Sequence, residues 1–323
     1  MKTAIVRTPL QLVCSIEYIK KYNLDINTIN FVYIDKYQLS KTQMINTFDF
    51  YEIKKFATIK YANSNVWNLG KKNFVITKKN PLKIILKIIS FASNYFADKK
   101  LFNVVNNSKT IIIGDPNLTI IKKIIDKVNS KNIVFLDDGL GSAVYKFKFN
   151  QVQNNLTAFT FLPINDKQIN NIINNNFKYI REKELITDIN YNLFIGQPLI
   201  EAGVLKKKEF EEYLNEISFQ NKNSTVIYLA HRWEKLIDEI KFPENFKIVN
   251  ELILPIELYI IKNKISPQKI YSFYSSALIT LQLILPENTI FSSIDIRNKI
   301  KNDNIEYAYR TIEYMGIKLI NLN

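Results

Sequence analysis

The chain has 323 residues, 47% of them apolar and 23% charged, which excludes a disordered chain, a collagen-like repeat and a disulfide scaffold. Its 44 Lys and Arg against 30 Asp and Glu give a formal charge of +14. That balance suits nucleic acid, anionic lipid or an anionic substrate, and equally a lysine-rich solubilising surface. Three residue types are scarce, with 7 glycines, 1 histidine and 1 cysteine. In a chain so rich in Lys, Asn and Ile, each glycine or histidine that remains is informative.

In chain order, Thr3–Val6 reads as a strand and Pro9 to about Lys21 as a helix. Cys14 lies in the apolar stretch of that helix and reads as a small buried hydrophobe. A lone cysteine provides neither an internal disulfide nor a Cys-based zinc site, which fits a reducing cytoplasm. Asn30–Ile34 is a second strand. Residues 77–100 form an Ile-, Leu- and Phe-rich stretch dotted with lysines. It reads as an amphipathic helix packed on a sheet or as an interfacial membrane helix. Thr110–Gly114 is an apolar strand of the doubly buried parallel type, and Pro116 opens the next helix. Asn132–Leu136 is another such strand.

From Gln151 to Asn176 the chain turns Asn- and Gln-rich with weak periodicity, which predicts a domain boundary near 155/156. Alternation then resumes. Strands are predicted at Asn192–Ile195, Thr225–Leu229, Lys269–Ser272 and Thr289–Ser292. Helices are predicted at Lys206–Ile217, Pro255–Lys262, Ser275–Leu285 and Asp303–Tyr314. The expected fold is α/β, with two Rossmann-like domains, 1–155 and 156–323, facing a central cleft. No run of about 18 uncharged apolar residues occurs, and the N-terminal apolar run is too short for a signal sequence.

Ligands of open α/β sheets bind beyond the carboxyl ends of the strands. Polar clusters follow five of the predicted strands: Thr8, Pro9 and Gln11; Asp137, Asp138 and Gly139; Gly196, Gln197 and Pro198 with Glu201; His231 and Arg232; and Ser275 and Ser276. Adjacent carboxylates can have separated pKa values, so that one serves as a general base. Histidine carries a proton near neutral pH, and arginine grips phosphate. Serines at a helix N-terminus make an anion site. Each cluster also has a structural reading, as a turn, a cap or a packed side chain. A lone histidine argues against a His-based metal site. Taken together, the clusters suit transfer from an anionic, nucleotide-activated donor.

At these residues the chain resembles the bacterial sialyltransferases of glycosyltransferase family 52. The matching pieces are Thr8-Pro9-Leu10-Gln11, Asp137-Asp138-Gly139, Gly196-Gln197-Pro198-Leu199 with Glu201 and Gly203, His231-Arg232, Glu251–Glu257 and Phe273–Leu278. They follow the family's order over nearly the whole chain. The resemblance implies a GT-B-like fold and an inverting, metal-independent transfer with no cofactor. The implied donor is a CMP-activated nonulosonic acid, usually sialic acid. The implied acceptor is a lipooligosaccharide or capsule glycan.

By the same resemblance, His231 acts on the departing phosphate, Ser275 and Ser276 bind it, and Glu257 contacts ribose or cytidine. Arg232 and Gly196–Pro198 fall on the donor side. Thr8, Pro9, Gln11, Asp137 and Gly139 fall on the acceptor side. The chain departs from the family at Arg232, where proline is usual, and at Leu199, where some members carry an aspartate. The general base is therefore left between Asp138 and Glu201. Two alternatives stand beside this reading: a GT-B enzyme using another nucleotide sugar, and a non-catalytic basic protein binding nucleic acid or membrane. No RNA-binding aromatic motif or helix-turn-helix signature supports nucleic acid. The expected place is the cytoplasm, with peripheral contact to the anionic inner face of the membrane.

Overall fold

A computed structural model describes residues 1–35, 41–61, 81–115, 119–127, 132–141, 155–164, 166–181, 191–300 and 302–322. The first sheet contains β1 (Lys2–Val6), β2 (Ile29–Asp35), β3 (Phe56–Lys60), β4 (Thr110–Gly114), β5 (Asn132–Leu136), β6 (Asn155–Thr160) and β7 (Asn171–Asn174). Its order is β3-β2-β1-β4-β5-β6-β7, and every pair is parallel. The second contains β8 (Tyr191–Ile195), β9 (Thr225–Leu229), β10 (Phe246–Val249), β11 (Lys269–Ser272), β12 (Ile290–Ile294) and β13 (Lys318–Ile320). Its order is β10-β9-β8-β11-β12-β13, again all parallel. Both sheets therefore run outward from a central strand and reverse beside it, between β1 and β4 and between β8 and β11. This is the doubly wound pattern, with a ligand crevice at each reversal.

Alternation along the strands builds three cores. In the first sheet Ala4, Val6, Ile112, Val134 and Leu136 face one side, and Ile5, Ile111, Ile113, Ile133 and Phe135 face the other. The first set packs with α1 (Pro9–Lys21) and α2 (Lys41–Phe50). The second packs with α3 (Pro81–Val105) and α4 (Thr119–Lys127). In the second sheet Leu193, Ile195, Leu229 and Ile270 join the core that contains α1, together with α7 (Ile256–Lys262) and α8 (Ser276–Ile284). One apolar core thus runs from the first sheet into the second domain. The opposite face of the second sheet, with Phe194, Val226, Tyr228 and Tyr271, packs with α6 (Lys207–Gln220) and α9 (Asp303–Tyr314).

Three expectations fare differently. First, β6 and β7 extend the first sheet to Asn174, so the division at 155/156 falls where β6 begins. The short helix α5 (Lys178–Arg181), held by Glu17 of α1 through the Tyr179 and Ile180 N–H groups at 3.1 and 2.8 Å, also belongs with the first sheet. Second, the lysine-dotted segment is helix α3, whose Ala97, Leu101 and Val105 are buried on the first sheet while Tyr95 and Phe96 are exposed. Third, Pro116 lies outside the described residues. Cys14 is buried within α1. Among the described residues no helix is long and apolar enough to cross a membrane.

Candidate functional site

The carboxyl ends of both sheets meet at two adjoining cavities of about 310 and 540 Å³. Both volumes fall in the range of small-molecule sites. Asp138, Gly139, His231, Ser275 and Ser276 wall both cavities. The smaller one continues along Thr8, Gly196, Arg232, Leu252, Pro255 and Glu257. The larger continues along Leu140, Gln197, Pro198, Tyr274, Asn304 and Tyr307.

From the first domain, Thr8 caps α1 by accepting the Gln11 N–H at 3.3 Å, a contact worth about 1 kcal/mol. The same hydroxyl donates to Asp138 Oδ1 at 2.7 Å, which fixes the carboxylate at the cleft. Burial pushes the Asp138 carboxyl up, and the Thr8 hydrogen bond and the Arg7 charge partly offset it. Gly139 follows with φ +82°, and a Cβ there would stand 3.1 Å from Ser276 Oγ of the second domain. Glycine takes this backbone shape and this approach without strain.

From the second domain, His231 follows β9. The Trp233 N–H donates to His231 Nδ1 at 3.2 Å, so the neutral ring carries its proton on Nε2. Burial and the neighbouring Arg232 push its pKa down to about 4. The imidazole is therefore a neutral Nε2–H donor, and an incoming anion favours its protonated form. Ser275 caps α8, with its Oγ accepting the Ala277 N–H at 3.2 Å. The N-terminus of a nine-residue helix thus opens at the shared wall, with two hydroxyls beside it. Glu257 Oε1 accepts from Thr280 Oγ1 at 2.7 Å, and burial pushes its pKa up.

Three of the expected site residues line neither cavity. Asp137 is buried, and its carboxylate accepts from Thr160 Oγ1 at 2.9 Å and from the Phe161 N–H at 2.6 Å. It ties the end of β5 to the end of β6. Gln11 is buried and its Oε1 accepts the Arg7 N–H at 2.8 Å. Glu201 Oε1 accepts the N–H groups of Lys235 and Leu236 at 2.5 and 2.9 Å. Its carboxylate braces the loop after His231, whereas the Asp138 carboxylate lines both cavities.

Sequence reasoning missed Gln43, Asn304, Tyr307 and Glu234. Asn304, Tyr307 and Ala308 share one face of the predicted final helix, and that spacing could have found them. Glu234 accepts the Tyr228 hydroxyl on Oε1 and the His231 N–H on Oε2 at 2.5 Å. A Cβ at Gly196 would collide with this pair.

Burial pushes the Glu234 carboxyl up from 4.5 to about 7. Because the folded pKa lies above the ordinary value, the stabilisation it confers is full below about pH 4.5 and lost as pH rises through about 7. Glu234→Gln copies the protonated form, with its amide facing Tyr228 and its carbonyl facing the His231 N–H. Its stability is expected to match wild type near pH 4.5 and to exceed it at pH 8, by up to about 3 kcal/mol. Chemical denaturation at both pH values reads the difference, and a gap that does not grow with pH contradicts the assignment.

No protein-family model matches the sequence, and no curated protein matches it. Solved structures do match the fold. An α/β-galactoside α-2,3-sialyltransferase from the luminous marine bacterium Photobacterium phosphoreum superposes with TM-score 0.54 at 13% identity, over 98% of this chain and 97% of that one. A putative UDP-N-acetylglucosamine 2-epimerase from Listeria monocytogenes gives TM-score 0.58 at 11% identity, over 100% of this chain and 84% of that one. The calicheamicin glycosyltransferase CalG4 gives 0.52 at 7% identity, over 99% and 85%. With its two doubly wound parallel sheets closing on one cleft, the chain has the two-Rossmann-domain GT-B fold.

Proposed function

We propose that this protein is an inverting, metal-independent glycosyltransferase. It moves sialic acid, or a related nonulosonic acid, from a CMP-activated donor to a surface glycan such as lipooligosaccharide or capsule. The observation that carries this reading is the wall shared by the two cavities. A carboxylate from the first domain stands there with an imidazole and a helix N-terminus from the second. The smaller cavity takes the nucleotide, with Glu257 toward the ribose or base. The larger takes the sugar and the acceptor hydroxyl.

In this mechanism Asp138 accepts the proton of the acceptor hydroxyl. The acceptor oxygen bonds to the anomeric carbon as the bond to the phosphate oxygen breaks on the opposite face. Charge that builds on the departing phosphate is met by the α8 N-terminus, the Ser275 and Ser276 hydroxyls, Arg232 and the His231 Nε2–H. No covalent intermediate is needed. The exposed Tyr95 and Phe96 beside exposed Lys99 and Lys100 support a peripheral contact with an anionic inner membrane.

The likeness to a sialyltransferase supports this at the level of fold. The likeness to a putative UDP-N-acetylglucosamine 2-epimerase makes a UDP-sugar the second reading. A panel of CMP- and UDP-sugars with a galactose-terminated acceptor separates the two. Acceptor-dependent release of CMP from CMP-sialic acid is expected. Release of UDP alone would overturn the CMP donor in favour of the second reading.

A further inference from the structure

One side chain crosses from the first domain into the nucleotide cavity, and no functional motif in the sequence marks it. Gln43 of α2 is buried and walls the smaller cavity. Its Nε2 donates to the carbonyl of Leu252 at 2.8 Å and, at the limit of a hydrogen bond, to that of Leu254 at 3.4 Å. Its Oε1 accepts from Arg232 Nη1 at 2.9 Å. The two carbonyls fix the amide's orientation, because a flipped amide would set oxygen against oxygen and nitrogen against guanidinium. A carboxamide supplies both the donors and the acceptor that this junction requires. One turn on, Asn46 Nδ2 donates to the Ile253 carbonyl at 2.9 Å. Helix α2 is therefore docked on the 252–254 loop by two amides, and one of them also holds the arginine.

Arg232 lines the smaller cavity together with Asp138 of the first domain and Glu257 of the second, and both carboxylates act on its charge. Its Nε is buried and finds no acceptor among the described residues. Collapse of the guanidinium onto either carboxylate would withdraw it from an incoming anion. The Gln43 bond opposes that collapse. We infer that Gln43 is a positioning residue, which holds Arg232 toward the anionic part of the donor.

The inference rests on the nucleotide-sugar reading of the cleft. Its test is a double-mutant cycle on nucleotide affinity, with both CMP and UDP titrated by intrinsic fluorescence. Gln43→Leu is expected to weaken CMP binding about tenfold, as the loss of a hydrogen bond to a charged group would. Arg232→Leu weakens it at least as much, and the double variant binds like Arg232→Leu alone. Asn46→Ala removes the neighbouring cross-domain bond without touching Arg232 and should leave affinity within about twofold of wild type. Where Gln43→Leu fails to fold, Gln43→Met keeps the side-chain length and should show the same loss.

Unchanged affinity in a folded Gln43 variant, or additive losses across the cycle, would overturn the inference. So would an equal loss in Asn46→Ala, which would reduce Gln43 to domain adhesion. Wild type that binds UDP but not CMP overturns the cytidine donor, and the cycle then runs on UDP with the same expected pattern. Wild type that binds neither overturns both.

Discussion

Asp138→Asn is expected to slow glycosyl transfer by about 10²- to 10⁴-fold, the usual contribution of a positioned general base. Asparagine keeps an oxygen that can accept from Thr8, so the loop after β5 and the cap of α1 are retained. Nucleotide affinity should not fall, because a carboxylate beside Arg232 repels the phosphate and its neutralisation removes no contact to it. The loss therefore belongs in kcat. The pH profile gives the sharper reading. A base works in its ionised form, and burial holds the Asp138 carboxyl above its ordinary value. Wild-type activity should thus fall on the acid side at a higher pH than an exposed aspartate would give. The residual activity of Asp138→Asn should lack that limb. A variant with full activity, or one that loses activity only through weaker nucleotide binding, contradicts the base role.

The second large effect is expected at His231. Asparagine there can place an oxygen where Nδ1 accepts the Trp233 N–H, while removing the Nε2–H. His231→Asn should preserve the turn after β9 and lose about 10²- to 10³-fold in kcat, the scale of one donor removed from developing charge. Donor KM should move far less, because Ser275, Ser276 and Arg232 still hold the ground-state phosphate. The lowered pKa of the imidazole bears on this, since a neutral ring donates a hydrogen bond without demanding a counter-charge. Undiminished kcat in the folded variant would remove the histidine from the chemistry. Steady-state kinetics with the donor varied separates the two parameters.

The strands that carry the site were legible for a physical reason. β4, β5, β8 and β9 lie inside their sheets and are covered on both faces, so their sequences run almost continuously apolar, and β1 and β11, also inside, keep a shorter apolar stretch. The strands that escaped notice include all four sheet edges: β3, β7, β10 and β13. An edge strand is paired on one side and carries a weaker pattern; β7, Asn-Ile-Ile-Asn, exposes most of its length. Missing β6 and β7 displaced the domain boundary. It also hid the role of Asp137, whose partners Thr160 and Phe161 stand at the end of β6.

Adjacent aspartates cannot be ranked by spacing, whereas position separates them. Asp137 turns into the sheet, and Asp138 turns to Thr8 and the cleft. Glu201 shows the same limit. Its distance along the chain from Gly196 is compatible with catalysis, yet the 197–205 turn carries it to the backbone of the His231 loop. Gln43 sits on a helix without a marked apolar stripe, and its partners lie about 190 and 210 residues away in sequence. Glycine and histidine scarcity served better: Gly139, Gly196 and His231 all wall the cleft.

The most direct test of the proposed donor site is a crystal structure with CMP bound. The phosphate is expected at the wall shared by the two cavities, within about 2.7–3.2 Å of the Ser275 or Ser276 donors and of His231 Nε2. The ribose should lie toward Glu257. CMP bound elsewhere on the molecule, or seated in this cleft with its phosphate away from both the α8 N-terminus and His231, would contradict it.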